Sequence, residues 1–269
     1  MAATPDLLPV ESATLDRVEL ADPVIISDLH LSEATPRTLA RFERFVAAEA
    51  AAHAELVILG DLFETWVGDD DLDSTLGRRV STALAQATVA GQHVFLMHGN
   101  RDVLLGARFC SATGARLLAD PAHARIQGTD WLLSHGDAWC VEDHAYQKFR
   151  AQVRAPAWQR AFLARTVEDR RAFVGAARAV SEADKRTKSF EIMDVTPAAV
   201  DAALRAAHGT RIVHGHTHRP GVHHGHLEGT AVERWVLADW DFDVKKPADA
   251  RGGYVAFTGG AARAVALSD

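Results

Sequence analysis

Five short stretches of the chain end in side chains that bind divalent cations: Asp28 and His30 in SDLH, Asp61 in LGD, Asn100 in HGN, His135 in SHGD, and His214 and His216 in HGHTH. Two aspartates, one asparagine and four histidines are more donors than a single ion needs. They suit two divalent cations a few ångströms apart with one carboxylate shared, an arrangement used for hydrolysis. Asp61 is the expected bridge, with Asp28, His30 and His216 assigned to one ion and Asn100, His135 and His214 to the other. Oxygen and nitrogen donors without thiolate favour manganese, iron or zinc over magnesium or copper(I), and two Mn2+ ions are the first expectation. The neighbouring His218, His223, His224 and His226 are expected at the surface or behind the ligands.

These residues need elements that deliver them to one place. Val24 to Ile26, Leu56 to Leu59 and His93 to Met97 are short apolar runs of buried-strand type, and each stops at one of the polar turns. Between them, Leu39, Phe42, Phe45 and Val46 recur at helical spacing, and the stretch from Ser74 to Gly91 is helical again. Glycines 60, 99, 136 and 215 beside the ligands let the backbone turn sharply and approach an ion. Polar residues at the carboxyl ends of strands are where α/β sheets bind ligands. The fold class is therefore α/β, with a sheet covered on both faces. From Glu142 to about Ser181 the pattern changes to helices broken near Pro156, before a single amphipathic helix feeds the strand RIVHG. Residues 142–194 are expected as a helical insertion in one domain spanning 23–269, and residues 1–22 as a tail.

Composition limits the function. Hydrophobic residues at 48% and charged residues at 24% suit a globular protein, and no apolar run is long enough for a membrane span. The start has no basic, then apolar, signal-peptide pattern, so cytoplasm is the default. Two cysteines in no paired spacing give no disulfide framework. A net charge of −7 argues against a nucleic-acid partner. Yet seven basic residues (Lys148, Arg150, Arg154, Arg160, Arg165, Arg170, Arg171) stand against two acidic ones between Tyr146 and Arg171, which suggests contact with an anion or an anionic surface.

The order D-x-H, G-D, G-N, H-G, G-H-x-H resembles the calcineurin-like metallophosphoesterase superfamily, whose fold is a β-sandwich flanked by helices. In that superfamily G-N is usually followed by a histidine that helps protonate an alkoxide leaving group. Here Arg101 follows, which cannot give up a proton but can grip a phosphate in a bidentate fork. The exchange makes sense if the leaving group is itself a phosphate, which points to a pyrophosphate bond. The longer strings GDLFETWVGDDD, HGNRDVLLG, SHGDAWCVEDHAYQKFR, EIMDV, HGHTHRP and VLADW closely resemble the UDP-2,3-diacylglucosamine diphosphatases of Gram-negative lipid A synthesis.

That resemblance implies hydrolysis at the α-phosphorus of a lipid-linked nucleotide sugar, giving UMP and 2,3-diacylglucosamine 1-phosphate. It implies that Asp61, Arg101 and His214 serve catalysis, and that the helical insertion is a lid over the acyl chains. Substrate contacts carried over are Asn100, Arg101, His214, Asp143, Ser181, Lys185 and Lys188. Lys185 departs from the family, which more often has asparagine there. Trp158, Phe162, Leu163, Phe173 and Val174, interleaved with arginines, would suit an amphiphile, a cap packed on the domain, and peripheral contact with the cytoplasmic face of the inner membrane. Two rival readings remain: a relative acting on another nucleotide diphosphate or phosphodiester, and a non-catalytic scaffold.

Overall fold

The computed structural model describes residues 15–185 and 194–268. The chain enters the sheet early, since Leu15–Leu20 forms strand β1, parallel to β5 (Arg116–Ile126). This corrects the expectation of a tail over residues 1–22, of which 1–14 lie outside the described residues. Val18 and Leu20 are buried while Arg17 and Glu19 are exposed. A period-two pattern therefore runs through the charges.

Strands β2 (Pro23–Ile26), β3 (Glu55–Leu59) and β4 (His93–Met97) lie side by side and parallel. They are apolar almost throughout because both of their faces are covered. Val24, Ile26, Leu56, Ile58, Val94 and Leu96 meet α1 (Pro36–Ala47), α2 (Thr75–Val89) and α3 (Ala107–Thr113) through Phe42, Phe45, Leu84 and Phe109. The intervening Ile25, Val57, Leu59, Phe95 and Met97 face the opposite way. There they meet Trp131 and Leu133 of β6 (Thr129–Ser134), Val213 of β7 (Arg211–His214), and Val255 and Phe257 of β10 (Gly253–Thr258).

The expected sandwich is thus made by one ladder curling over itself. With β8 (Gly221–Leu227), β9 (Thr230–Val236) and β11 (Ala261–Ala266), the order is β11-β10-β2-β3-β4-β5-β6-β7-β9-β8. Long β5 makes the turn possible: Arg116 to Leu118 pair with β4, Ala122 to Ile126 with β6, and Leu118 and His123 to Ile126 with β1. The curl brings the carboxyl ends of β2, β3, β4, β6 and β7 together.

Between β6 and β7 come α4 (His144–Val153), α5 (Pro156–Leu163), α6 (Val167–Lys185) and α7 (Pro197–Ala206). Phe162 packs between Trp158 at 4.6 Å and Phe173 at 5.4 Å, and these rings join the same cluster that α1 to α3 cover. Four of the arginines in the basic run are taken up by ion pairs within the molecule, while Lys148, Arg160 and Arg165 remain exposed. Arg150 and Arg154 pair with Asp137, Arg170 with Asp70 and Arg171 with Asp71. The partners of the last two sit in the acidic stretch Glu64 to Asp73, about a hundred residues away in the chain. Among the described residues no helix is long and apolar enough to cross a membrane.

Arg170 is 1% exposed and also donates to the Val67 carbonyl, so it is a buried anchor of α6. Removing one partner of a buried pair leaves the other uncompensated, and Arg170→Ala is expected to cost about 3 kcal/mol in urea denaturation. A loss below about 0.5 kcal/mol, the range of ordinary surface changes, would show that the anchor lies elsewhere.

Candidate metal centre

Five of the eight non-glycine residues with positive φ among the described residues sit at these strand ends: Asp28 (+54°), His30 (+49°), Asp61 (+52°), His216 (+70°) and His218 (+52°). A left-handed backbone costs an L-residue about 1 kcal/mol or more, and it persists where the surroundings over-determine it. Here hydrogen bonds do so. Leu29 and His30 donate their N–H groups to the Asp61 carbonyl at 2.9 and 3.0 Å. Arg101 N–H donates to Asp61 Oδ1 at 2.9 Å, and His216 N–H donates to both Asp28 oxygens at 3.1 and 2.9 Å. Such close approach requires Gly99 and Gly215, where any Cβ would collide with Asp61 and Asp28 respectively.

Behind this layer, the buried Asp102 carboxylate accepts from Gly99 N–H at 2.8 Å, Leu62 N–H at 2.7 Å and Asp61 N–H at 3.3 Å. It binds the LGD and HGN turns into one unit. Burial, and then repulsion from Asp61, push its carboxyl up to about 6.

Two groups of donor atoms converge. In the first, His30 Nε2 lies 3.1 Å from His218 Nε2, and Asp28 Oδ1 is 3.4 Å from His218 and 4.0 Å from His30. Asp61 Oδ2 stands 3.8 Å from His30 Nε2. In the second, Asn100 Oδ1 is 3.1 Å from His135 Nε2 and 2.9 Å from His216 Nδ1, while Asp61 Oδ1 is 3.7 Å from His135 Nε2. Asp61 reaches both groups, as a bridge must. Several imidazoles are oriented from behind. His135 Nδ1 meets the Leu59 carbonyl at 2.9 Å, His30 Nδ1 lies 2.7 Å from Glu64 Oε2, and His218 Nδ1 lies 3.6 Å from Asp239 Oδ2. Such partners fix which nitrogen is left for a cation.

The structure departs from the sequence assignment in one respect. His218, expected at the surface or behind the ligands, stands with Asp28 and His30, where His216 was assigned, and His216 stands with Asn100 and His135, where His214 was assigned. His214 lies outside both groups. It is the last residue of β7, paired opposite Val236, so the strand pleat commits its ring elsewhere. There Nδ1 donates to the Gly215 carbonyl at 2.8 Å, Nε2 meets Arg234 Nη1 at 3.0 Å, and the ring stands edge-on to Trp139. Burial pushes His214 down to about 3, so it is a neutral acceptor for the arginine.

The donor set fits cations on electrostatic grounds. Burial opposes the charge on Asp28, yet His218, His135 and His30 hold its carboxyl well below the usual range. Burial likewise opposes a charge on His135, but Asp61, Asp28, Asp137 and Asp120 push it up to about 9. The carboxylates thus draw positive charge onto His135 and His30, where a divalent ion would displace protons, while burial and the neighbouring His135 push His216 down to about 4.

The helical insertion reaches this layer at two points. Asp137 accepts from the Tyr146 hydroxyl, Arg150 Nε at 2.9 Å and Arg154 Nη2 at 3.5 Å, and Arg154 also donates to the Gly99 carbonyl at 3.2 Å. The Tyr146 ring lies over His216 with centroids 5.9 Å apart. At the other point, Arg178 of α6 bonds Glu64 and lies 3.3 Å from Thr65 Oγ1. Burial opposes the charge on Glu64, but His30, Arg101 and Arg178 hold its carboxyl down at about 2. Arg101 is half-buried, and its buried Nε has no hydrogen-bond partner among the described residues.

Of the residues expected to touch substrate, Asp143 caps α4 by accepting from Tyr146 N–H at 3.1 Å. Ser181 and Lys185 belong to α6 but their side chains lie outside the description, and Lys188 lies outside the described residues. Glu64, Asp102, Tyr146 and Asp239 were not singled out from the sequence. The only signal for them was their place within the quoted motif strings.

Metal analysis separates the two histidine assignments. His218→Ala is expected to lose bound Mn2+ from one of two sites, whereas His214→Asn keeps both; the reverse result would restore the original assignment. Glu64→Gln, which weakens the partner of His30, is expected to lower Mn2+ affinity about 10- to 100-fold by calorimetry.

Comparison with known proteins identifies the family. A sequence model of the family "Calcineurin-like phosphoesterase" matches residues 23–220. A UDP-2,3-diacylglucosamine hydrolase of Ralstonia nicotianae is 46% identical over 249 residues, covering 89% of this chain and 91% of that protein. The Bordetella pertussis protein of the same name is 43% identical over 243 residues, covering 90% and 93%. That of Chromobacterium violaceum is 46% identical over 246 residues, covering 91% and 98%. Within the calcineurin-like phosphoesterases, the chain belongs to the family of the UDP-2,3-diacylglucosamine hydrolases.

Proposed function

We propose that this chain hydrolyses the pyrophosphate bond of UDP-2,3-diacylglucosamine by attack of water at the α-phosphorus, releasing UMP and 2,3-diacylglucosamine 1-phosphate. The observation that carries the reading is the pairing of two donor groups around Asp61 with an arginine, Arg101, whose own N–H is fixed on that aspartate. Asp28, His30, Asp61 and His218 would hold one divalent ion, and Asp61, Asn100, His135 and His216 the other, with Mn2+ the best match to these donors. Bound there, such ions supply Lewis acidity to phosphoryl oxygens and a means of ionising water at neutral pH.

The chain's own residues supply the rest. Arg101 stabilises charge developing on the phosphoryl oxygens, and its permanent cation suits a leaving group that departs as a phosphate. Asp102 and Gly99 keep Asn100 and Arg101 at a fixed distance from Asp61. His214, with both ring nitrogens engaged, supports the HGHTH loop and does not touch substrate in this reading. Contacts with the sugar and acyl chains are assigned to the insertion, with Ser181, Lys185 and Lys188 the proposed polar ones. The exposed Lys148, Phe149 and Arg160 are the proposed points of contact with the anionic cytoplasmic face of the inner membrane.

Turnover of UDP-2,3-diacylglucosamine by the manganese-loaded protein in ¹⁸O-labelled water is expected to put the label in UMP. Label in the lipid phosphate would overturn the site of attack, and activity on soluble diphosphates alone would overturn the substrate. Asp61→Ala is expected to abolish turnover with the fold retained by circular dichroism. Arg101→Ala is expected to lower kcat about 10²- to 10³-fold, as when a single donor to a developing oxyanion is removed.

A further inference from the structure

Two of the motifs, EIMDV and HGHTHRP, contain residues that the metal centre does not use: Asp194, Thr217 and Arg219. The structure brings all three to the wall of one cavity of about 230 Å³, together with His223 and Arg234. Among the described residues, none of α4, α5 or α6 lines it. Thr217 sits between His216 and His218 in the chain, and Arg234 meets His214, so the cavity lies beside the HGHTH loop. Pairing of β8 with β9 sets His223 opposite Arg234 on the far wall.

The lining sets polar side chains among Pro220, Val222 and Val236. Thr217 Oγ1 is buried with no hydrogen-bond partner among the described residues. Arg234 spends one guanidinium nitrogen on His214 at 3.0 Å. Arg219 is steered by Asp194 Oδ2 at 2.6 Å, which leaves a fixed cation and carboxylate side by side. A cavity below the roughly 300–1,000 Å³ that holds a drug-sized ligand admits one part of a large substrate, not its acyl chains.

Resting on the reaction proposed above, we infer that this cavity takes the pyrimidine nucleoside of the substrate and of the product UMP. Attack at the α-phosphorus sends the nucleoside and the lipid-bearing phosphate away from the metal centre on different substituents. The apolar insertion serves the second, and the cavity beside Thr217 serves the first. A pyrimidine offers carbonyl oxygens and one N–H, and ribose offers hydroxyls; guanidinium groups, a threonine hydroxyl and a carboxylate complement all of these.

Calorimetry with UMP, uridine and inorganic phosphate on the manganese-loaded wild type and on Arg234→Met and Arg219→Met tests this. UMP affinity is expected to fall about tenfold or more in both variants, the loss of a charge-assisted hydrogen bond, while phosphate affinity and Mn2+ content stay unchanged. Uridine is expected to compete with UMP in the wild type. The inference is overturned if UMP binds both variants within twofold of wild type, if phosphate weakens equally, or if uridine does not compete. Should UDP-2,3-diacylglucosamine not be cleaved while UMP binding follows the expected pattern, the substrate assignment fails and the cavity assignment stands.

Discussion

Two carboxylates, Asp28 and Asp61, lie at 0% and 2% exposure in the middle of the molecule, and the rest of the structure answers that fact. Unpaired charge in an apolar interior is among the most costly things a fold can contain. The chain surrounds these two with imidazoles, backbone N–H groups and the Arg101 amide. It accepts left-handed backbone at five positions and bare glycines at 99 and 215 to do so. An arrangement this expensive in local conformation makes sense when positive charge of higher valence than a proton completes it.

The curled ladder explains how residues almost two hundred positions apart meet. Because β5 changes partners midway, the strands carrying Asp28, Asp61 and Asn100 face those carrying His135 and the HGHTH loop across a common interior. Trp131, Leu133 and Val213 fill that interior from one side and Val57, Phe95 and Met97 from the other. Metal-centre geometry therefore depends on core packing, not on loops alone.

Much of this was legible in the sequence because the signals are local. An apolar run that stops at a polar residue beside glycine marks both a strand and its end, and five such ends in order indicate the centre and the α/β class. What could not be read depends on distant partners. Whether His214 or His218 faces the carboxylates turns on where β7 stops pleating, which is settled by its pairing with β9. Arg150, Arg154, Arg170 and Arg171 look from the sequence like cations for an outside anion until Asp137, Asp70 and Asp71 are folded against them. Strand β1 was missed because its alternation from Arg17 to Leu20 sets the buried Val18 and Leu20 among charged residues.

The contact of Arg178 with Glu64, and of Glu64 with His30, has a thermodynamic meaning. Helix α6 and a histidine of the metal centre share one carboxylate, so the position of the insertion and the occupancy of the centre are linked equilibria. Linkage of this kind is reciprocal. Whatever free energy a ligand held by α6 contributes to the charge balance at His30, a cation at His30 returns to the docking of α6. The insertion is in this sense a part of the inorganic site, and the two would respond together to a chelator or to a bulky ligand.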